Sequence, residues 1–346
     1  MTANLVAVIR LNMNHFEHIQ KTFALEHLPA NIRASKFFAR WPFLRRYQRL
    51  PVGLGFLPAE GQFSYQRAGQ KRAIKFNGRN LQFHALYDSH YRYGYELETA
   101  LLIAALCRGS APLFDIGSNW GYFSLLAASL PEFSGSIYAF EPNPRTFADL
   151  TSTIKQASVA DRVTACHLGV GRTACEMNVA EADRFNTGLS RLTADGGGQK
   201  IPVKPVDTLE FGDPGFIKID AEGMELEILA GAVRTLAQAK PFVVIENFLE
   251  LEAPEKTYAT MDFLEKNNYR TFVPVLEFSK NGSSMLLTYG RDYTPIVERG
   301  GQPRLGVVEI SARRRFLLGD QLNLLGVHAS RVEELWKLGI SDFGKM

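Results

Sequence analysis

Residues 113–121 read Leu113-Phe114-Asp115-Ile116-Gly117-Ser118-Asn119-Trp120-Gly121: an apolar run, an acid, and two glycines four positions apart. Leu113, Phe114 and Ile116 suit a short buried strand, since the run is too brief and too rich in strand formers for a helix. Gly117 and Gly121 let the backbone turn tightly and approach a ligand closely. Asp115 then stands near the carboxyl end of a strand, where open α/β sheets bind ligands. Tyr122, Phe123, Leu125, Leu126, Ser129 and Leu130 continue as a helical pattern. The stretch therefore predicts strand, glycine loop, helix, an arrangement that cradles a nucleotide-like ligand.

The ligand class follows from what the loop lacks. Asn119 stands where the second glycine of a G-x-G-x-x-G dinucleotide fingerprint would let a pyrophosphate approach, and no Gly-Lys-Ser/Thr of a P-loop is present. Asp-x-Gly-x-x-x-Gly is the looser loop of S-adenosylmethionine (AdoMet) enzymes, whose ligand carries no phosphate. Downstream, Ser136–Glu141 reads as a second strand ending in an acid. A carboxylate about 20 residues beyond the first loop can accept both ribose hydroxyls, and Glu141 is placed for that role. Pro142, Asn143 and Pro144 break the strand before a helix over Thr146–Lys155.

Composition sets bounds. The 346 residues suffice for one large α/β domain with extensions or for two small domains, and the hydrophobic fraction of 46% is ordinary for a globular chain. A net charge of +3 does not by itself imply a nucleic-acid partner. Cys107, Cys166 and Cys175 have no metal-ligand spacing, so a reducing compartment is expected rather than a disulfide framework. The first residues show no basic n-region, and no run approaches the roughly 18 apolar residues of a spanning helix. The expectation is a soluble, cytoplasmic protein.

Along the chain, Phe16–Leu28 suits a helix. Asn31–Leu50 carries Arg33, Lys36, Arg40, Arg45, Arg46 and Arg49 interleaved with Phe37, Phe38, Trp41, Phe43, Leu44 and Tyr47. That mixture fits an anionic surface (a peripheral membrane contact, nucleic acid or another polyanion such as phosphorylated glycan) or an arm that packs on the main domain or on a partner subunit, as in a homodimer. Ala73–Ala85 alternates as a hairpin turning at Asn77-Gly78. Tyr91–Arg108 is a helix feeding the first strand. Arg162–Val170 is a third strand, and the polar, glycine-rich Gly171–Lys200 is an insertion that shapes a substrate site. Lys200–Leu209 holds a strand and then Asp207 as a helix N-cap. Phe216–Glu222 is a fourth strand ending in two acids, Met224–Ala237 an amphipathic helix, Phe242–Asn247 a fifth strand, Tyr258–Asn267 a helix and Thr271–Leu276 a sixth strand. The last strand is open among Ser284–Tyr289, Leu305–Ser311 and Asn323–His328, and Val332–Leu338 is a short helix. Alternating strands and helices predict a doubly wound, mostly parallel Rossmann-like sheet, with an extension over 1–75, the main domain over 76–312 and a tail over 313–346.

Residues 114–124, Ala-Phe-Glu-Pro-Asn-Pro at 139–144 and Phe-Ile-Lys-Ile-Asp-Ala-Glu-Gly-Met-Glu at 216–225 resemble the FkbM-type AdoMet-dependent methyltransferases. Glu227–Ala232, Val243–Glu246, Tyr95-Glu96 and Asn186–Ser190 extend the resemblance, which spans roughly residues 90–275. It implies a class I methyltransferase fold and O-methylation of hydroxyls on sugars, glycans or polyketide-like secondary metabolites. On this sequence it implies an AdoMet site, with S-adenosylhomocysteine as product, at Glu96, Asp115, Gly117, Ser118, Asn119, Gly121, Tyr122, Phe123, Glu141, Pro142, Asn143, His167 and Asp220. The acceptor would meet Asn186, Ser190, Glu246 and Asn247.

A sugar hydroxyl is a poor nucleophile while protonated, so a base is needed beside an aligned methyl donor. Residues two apart in an extended segment share a side, which points Asp220 and Glu222 into one site: Asp220 as general base or anchor, Glu222 second. The alternative for both is capping of the helix near Met224. Asp220 with Glu246 and Asn247 could also hold Mg2+ through oxygen ligands, lowering the hydroxyl pKa; the reading without a metal is preferred. A nucleic-acid methyltransferase would use the basic arm. Against it, the Asn/Asp-Pro-Pro-Tyr/Phe of amino-directed enzymes and a Pro-Cys nucleophile are both missing. A non-catalytic AdoMet-fold binding module is the third class.

Overall fold

The computed structural model describes residues 14–41, 56–180, 191–193, 199–280, 283–287, 303–319 and 321–345. Its N-terminal part comprises helix α1 (14–22), strand β1 (Phe23–His27), helix α2 (Ala30–Arg40) and the hairpin β2 (Glu60–Arg67) and β3 (Gln70–Asn77). The predicted helix over Phe16–Leu28 thus stops at 22, and Phe23 begins a strand that pairs antiparallel with β2. The hairpin also differs from expectation. It turns at Ala68 (φ 49°) and Gly69 (φ 77°), the two positive φ angles that a tight primed turn requires. Asn77 ends β3 opposite Glu60, and Gly78 lies so close to Pro29 that a Cβ would sit 2.6 Å from its ring.

The short helix α3 (His84–Tyr87) leads to α4 (Leu97–Leu106), in which every residue is buried. β4 (Leu113–Ile116) then passes through the glycine loop into α5 (Tyr122–Ser129), as the sequence predicts. β5 (Ile137–Phe140), α6 (Pro144–Ala157) and β6 (Val163–Cys166) follow. The expected third strand is cut short at Cys166. β7 (Gly169–Val170) belongs to a separate four-stranded sheet with β8 (Cys175–Ala180), β9 (Arg191–Thr193) and β10 (Lys200–Lys204), in the order β7-β10-β8-β9. The described parts of the insertion over 171–200 therefore contain strands. Asp207 does not cap the segment that follows it: its carboxylate accepts the N–H groups of Arg234 and Thr235, each at 2.8 Å, from a later helix.

β11 (Phe216–Ile219) is followed by two helices, α7 (Glu225–Ala230) and α8 (Val233–Gln238), where one amphipathic helix was expected. The break falls at Gly231, where a Cβ would come within 2.1 Å of the Gly171 carbonyl oxygen. β12 (Phe242–Phe248), α9 (Pro254–Lys266), β13 (Tyr269–Lys280), β14 (Ser283–Leu287), β15 (Pro303–Glu309), β16 (Gln321–His328), α10 (Val332–Lys337) and β17 (Ser341–Lys345) complete the chain. All three candidates for the last strand are thus strands.

The main sheet runs β17-β15-β13-β16-β12-β11-β4-β5-β6, with β14 paired to β13. From β12 to β6 it is parallel; β12, β16, β13 and β15 pair antiparallel. β16 lies inside the sheet, so a boundary at 312 divides one sheet between two predicted regions. Strand alternation sorts the core: Leu113 and Phe216 pack toward α4 and α5, while Phe114, Ile116, Ile217 and Ile219 pack toward α7 and α8. The chain leaves β4 toward β5 and β6, then returns to β11 and β12 on the other side. The crevice where this order reverses, at the carboxyl ends of β4 and β11, is where doubly wound sheets bind ligands.

Candidate functional site

At that crevice lies a cleft of about 260 Å³ lined from the ends of β4, β5, β11 and β12. Its floor is tied together by the backbone. Gly117 and Ser118 N–H groups both donate to Phe140 O at 3.0 Å, and Asp220 N–H donates to Ile116 O at 3.0 Å. Gly117 (φ 77°) has no room for a side chain, because a Cβ would lie 1.6 Å from Asp220 O. Gly121 takes φ 95° to start α5 and lies outside the cleft wall.

At one end is Glu141. One of its carboxyl oxygens accepts the Asn119 N–H at 3.0 Å, the other the Asn143 N–H at 2.8 Å. Each oxygen keeps a further lone pair for a ligand hydroxyl. Burial pushes this carboxyl up to about 7 against those two hydrogen bonds. Asn143 is fully enclosed and caps α6, its Oδ1 accepting the Arg145 N–H at 2.9 Å, and its backbone N–H ties it to Glu141. Pro142 lines the cleft. His167 does not: it stacks on Phe147 at 4.4 Å with a buried, unpartnered Nε2.

Charge gathers at the other end. Asp115 is not part of the wall. It lies beneath the floor, accepts Ser124 Oγ–H at 2.6 Å and faces Lys218, its register partner on β11. Burial raises its pKa while Lys218 and the Ser124 bond oppose the rise. Lys218 Nζ is buried, 3.0 Å from Asp220 Oδ2 and 4.9 Å from the centre of the Phe123 ring. Burial lowers the pKa of this lysine, but Asp220, Asp115 and Glu96 outweigh it and hold the ammonium above its ordinary value. Glu96, in a left-handed conformation (φ 41°) ahead of α4, accepts Asn323 Nδ2–H at 2.9 Å, and burial raises it to about 7.

Asp220, Glu222 and Glu246 place one oxygen each within 4.8 Å of one another. Gln321 from β16 donates to Glu246. Burial, then the nearby Asp220 and Glu96, drive the Glu246 carboxyl far above its usual range. Glu222 reaches the cleft from a turn (φ 51°), not from the extended alternation that predicted it. The helix-capping alternative goes to another residue, since Glu225 Oε1 accepts the N–H groups of Ala221 and Gly223, each at 3.1 Å. Asn247 turns away from the cleft toward Thr257 O at 3.0 Å and is gripped by Arg315. Asn186 and Ser190 lie outside the described residues.

Three rings line another part of the wall. Tyr91 lies 4.7 Å from Tyr95 between centroids, and His84 lies 5.3 Å and 5.6 Å from the two. Tyr122 and Phe123 extend this surface, with Tyr122 Oη accepting the Tyr95 N–H at 3.1 Å. Sequence reasoning assigned no role to Lys218, although its place two residues before Asp220 puts both on one face. Nor did it find Gln321, Asn323, His84 or Tyr91, which arrive from distant segments. The arm is described only through α2, where Lys36 donates to Tyr87 O at 2.8 Å. Among the described residues no helix is long and apolar enough to cross a membrane.

Residues 115–271 match the family model of the Methyltransferase FkbM domain. Over 137 residues the chain is 28% identical to the hexuronic acid methyltransferase AglP of Haloferax volcanii, covering 39% of this chain and 54% of that protein. The chain thus spans about half the length of this curated relative. It is similar to the crystal structure of methyltransferase FkbM from Methylobacillus flagellatus KT (21% identity, 56% of this chain and 48% of that one, TM-score 0.39). It is also similar to an O-methyltransferase from Bacillus cereus in complex with SAH (11% identity, 67% and 79%, TM-score 0.35). The main sheet, with core packed on both of its faces, is a doubly wound α/β fold.

Proposed function

From a chain that carries a Methyltransferase FkbM domain over residues 115–271, we propose that the protein is an AdoMet-dependent O-methyltransferase acting on a hydroxyl of a sugar, glycan or secondary metabolite. The observation that carries the reading is the pair of strand-end carboxyl groups in one cleft. Glu141 is held at the β5 end by two backbone N–H groups, and Asp220 at the β11 end by Lys218. The residues fit the cofactor: Glu141 has lone pairs for two ribose hydroxyls, and the Gly117 loop brings bare backbone to the floor.

When bound, AdoMet supplies an activated methyl group on a cationic sulfonium. Asp220 accepts the proton of the acceptor hydroxyl as the oxygen becomes nucleophilic. Lys218 fixes that carboxylate by a buried ion pair, so that its direction is set before the acceptor arrives. Glu222 and Glu246 hold the acceptor's other hydroxyls. The tyrosine wall excludes water from the reacting end. The three-carboxyl cluster could also receive a divalent ion, but the Lys218 ammonium already compensates Asp220, and the favoured chemistry uses no metal. Its relative's name, which specifies a hexuronic acid, supports a sugar acceptor. The test is calorimetric titration with AdoMet and S-adenosylhomocysteine, with NADH as control, followed by a mass-spectrometric search for acceptors gaining one methyl. Absence of binding to either adenosyl compound would refute the proposal.

A further inference from the structure

Helix α2 carries cations and aromatic rings that the cleft does not use. Its first turn is fixed to the molecule. Asn31 and Ile32 are buried; the Asn31 backbone N–H donates to Pro58 O at 3.2 Å, and its side chain donates to Gly78 O at 3.0 Å. The opposite side is open. Arg33, Lys36, Phe37 and Arg40 recur at i, i+3, i+4 and i+7, which is one stripe of a helix, and all four are exposed. Phe37 is 57% exposed, and Trp41, which ends the helix, is 47% exposed. The sequence holds no Asp or Glu between Glu26 and Glu60, so the helix brings no acid of its own to this stripe. Lys36 donates to a neutral group, Tyr87 O at 2.8 Å, and lies 5.3 Å from the centre of the Tyr87 ring. Its charge therefore persists. Asp88, exposed next to Tyr87, offsets at most one of the three cations.

Cations alone suit any polyanion; the apolar neighbours choose among them. Tyr87 leads from Lys36 to two exposed aliphatic side chains. Its Oη donates to Leu81 O at 3.5 Å, and with Leu25 of β1 it lines a groove of about 320 Å³. Leu81 is 39% and Leu25 38% exposed. A nucleic acid or a sulfated glycan has little use for aliphatic groups. A bilayer interface buries Leu, Phe and Trp while the cations of the same helix meet its phosphates. We propose that α2 docks the protein peripherally on an anionic lipid bilayer, with Phe37 and Trp41 entering the interface and Arg33, Lys36 and Arg40 meeting lipid phosphates. The segment over 81–95, which receives Lys36, also gives Gln82, His84, Tyr91 and Tyr95 to the cleft wall. The docked face and the cleft are thus joined through one short segment. Docking of this kind does not require that the cleft transfer a methyl group.

The experiment sediments the full chain with sucrose-loaded vesicles of phosphatidylcholine alone, or of phosphatidylcholine and phosphatidylglycerol in equal parts, at low and at physiological salt. Binding to the mixed vesicles is expected, weakened by salt, with little binding to phosphatidylcholine alone. Tryptophan emission should shift to the blue on binding. Trp41→Phe should abolish the shift, since Trp120 is buried and Trp336 half-buried. Arg33→Gln combined with Arg40→Gln is expected to weaken binding by about 25-fold, at roughly fivefold for each cation near an anionic surface. Urea unfolding of each variant checks that these exposed changes leave the fold intact. Failure to sediment with mixed vesicles, equal sedimentation with phosphatidylcholine alone, or wild-type-like binding by the double arginine variant would each overturn the proposal. Vesicle binding indifferent to Phe37→Ser and Trp41→Ser, with heparin bound as tightly by the same variants, would also overturn it and assign the stripe to a soluble polyanion.

Discussion

Substituting Gly117→Ala tests the geometry of the cleft floor most directly. Two costs are separable. The backbone there has φ 77°, where a Cβ is disfavoured by about 1–2 kcal/mol. The new Cβ would also lie 1.6 Å from Asp220 O, against ordinary contact from 3.4 Å upward, so the two loops must part by roughly 1.8 Å. Overpacking of this kind costs about 1–3 kcal/mol. The Asp220 loop resists, since its N–H is bonded to Ile116 O and its side chain to Lys218. The expected loss of stability is therefore about 2–5 kcal/mol. A functional loss comes on top of this, because a misplacement of about 1 Å at a reacting centre costs on the order of 100-fold, or about 2.7 kcal/mol. Gly223→Ala separates the terms: φ is 101° but nothing lies within 4 Å of the new Cβ, so only backbone strain applies. Chemical denaturation and product formation on both variants provide the readout. Gly117→Ala with wild-type-like turnover, or Gly223→Ala with an equal loss, would refute the argument that loop contact sets the floor.

Asp220→Asn is expected to lower turnover by about 100-fold or more while AdoMet affinity, measured by calorimetry, stays near that of the wild type; wild-type-like turnover would remove Asp220 from the mechanism. Glu141 is expected to make stability fall as pH rises. Between the ordinary carboxyl range and about 7 the folded chain keeps a proton there that the unfolded chain has released. The slope reaches about 1.4 kcal/mol per pH unit and levels off above about 7. Glu141→Gln should remove this component, so the stability difference between variant and wild type in urea titrations should follow the same pH interval. Treatment with EDTA is expected to leave turnover unchanged; a loss restored by Mg2+ would show that Asp220, Glu222 and Glu246 act around an ion.

The parts of the fold that rest on local chemistry were legible. Leu113–Gly121 needed only its own neighbours to become strand, loop and helix, and Pro142-Asn143-Pro144 ended one strand and opened one helix. Asp220 and Glu141 followed because a strand end is a local feature. What failed depended on distant partners. The helix over Met224–Ala237 is interrupted at Gly231, which packs so closely on Gly171 O that no side chain fits, a contact with no trace in the helical pattern. Asn77-Gly78 has the composition of a hairpin turn, yet the alternating strand pairs backward with 60–67, and the turn falls on Ala68-Gly69. Asp115 and Asn247 have the right residue types at strand ends, but Ser124 and Lys218 claim one and Thr257 and Arg315 the other. Gln321 and Asn323 carry no local signal for the site that they join.

The position of β16 bears on how this protein is made. During synthesis β12 and β13 emerge well before residues 321–328, so the strand that separates them in the finished sheet is missing while both of its neighbours already have an edge to pair. Such edges recruit strands from other chains, and the gap must be filled by a contact distant in sequence, which is slow to form. Until it closes, Glu246 lacks Gln321 and Glu96 lacks Asn323. Assembly of the cleft is thereby tied to the arrival of this late segment. A chain cut before it would retain the glycine loop, Glu141 and Asp220, and would have both an incomplete cleft and an edge open to aggregation.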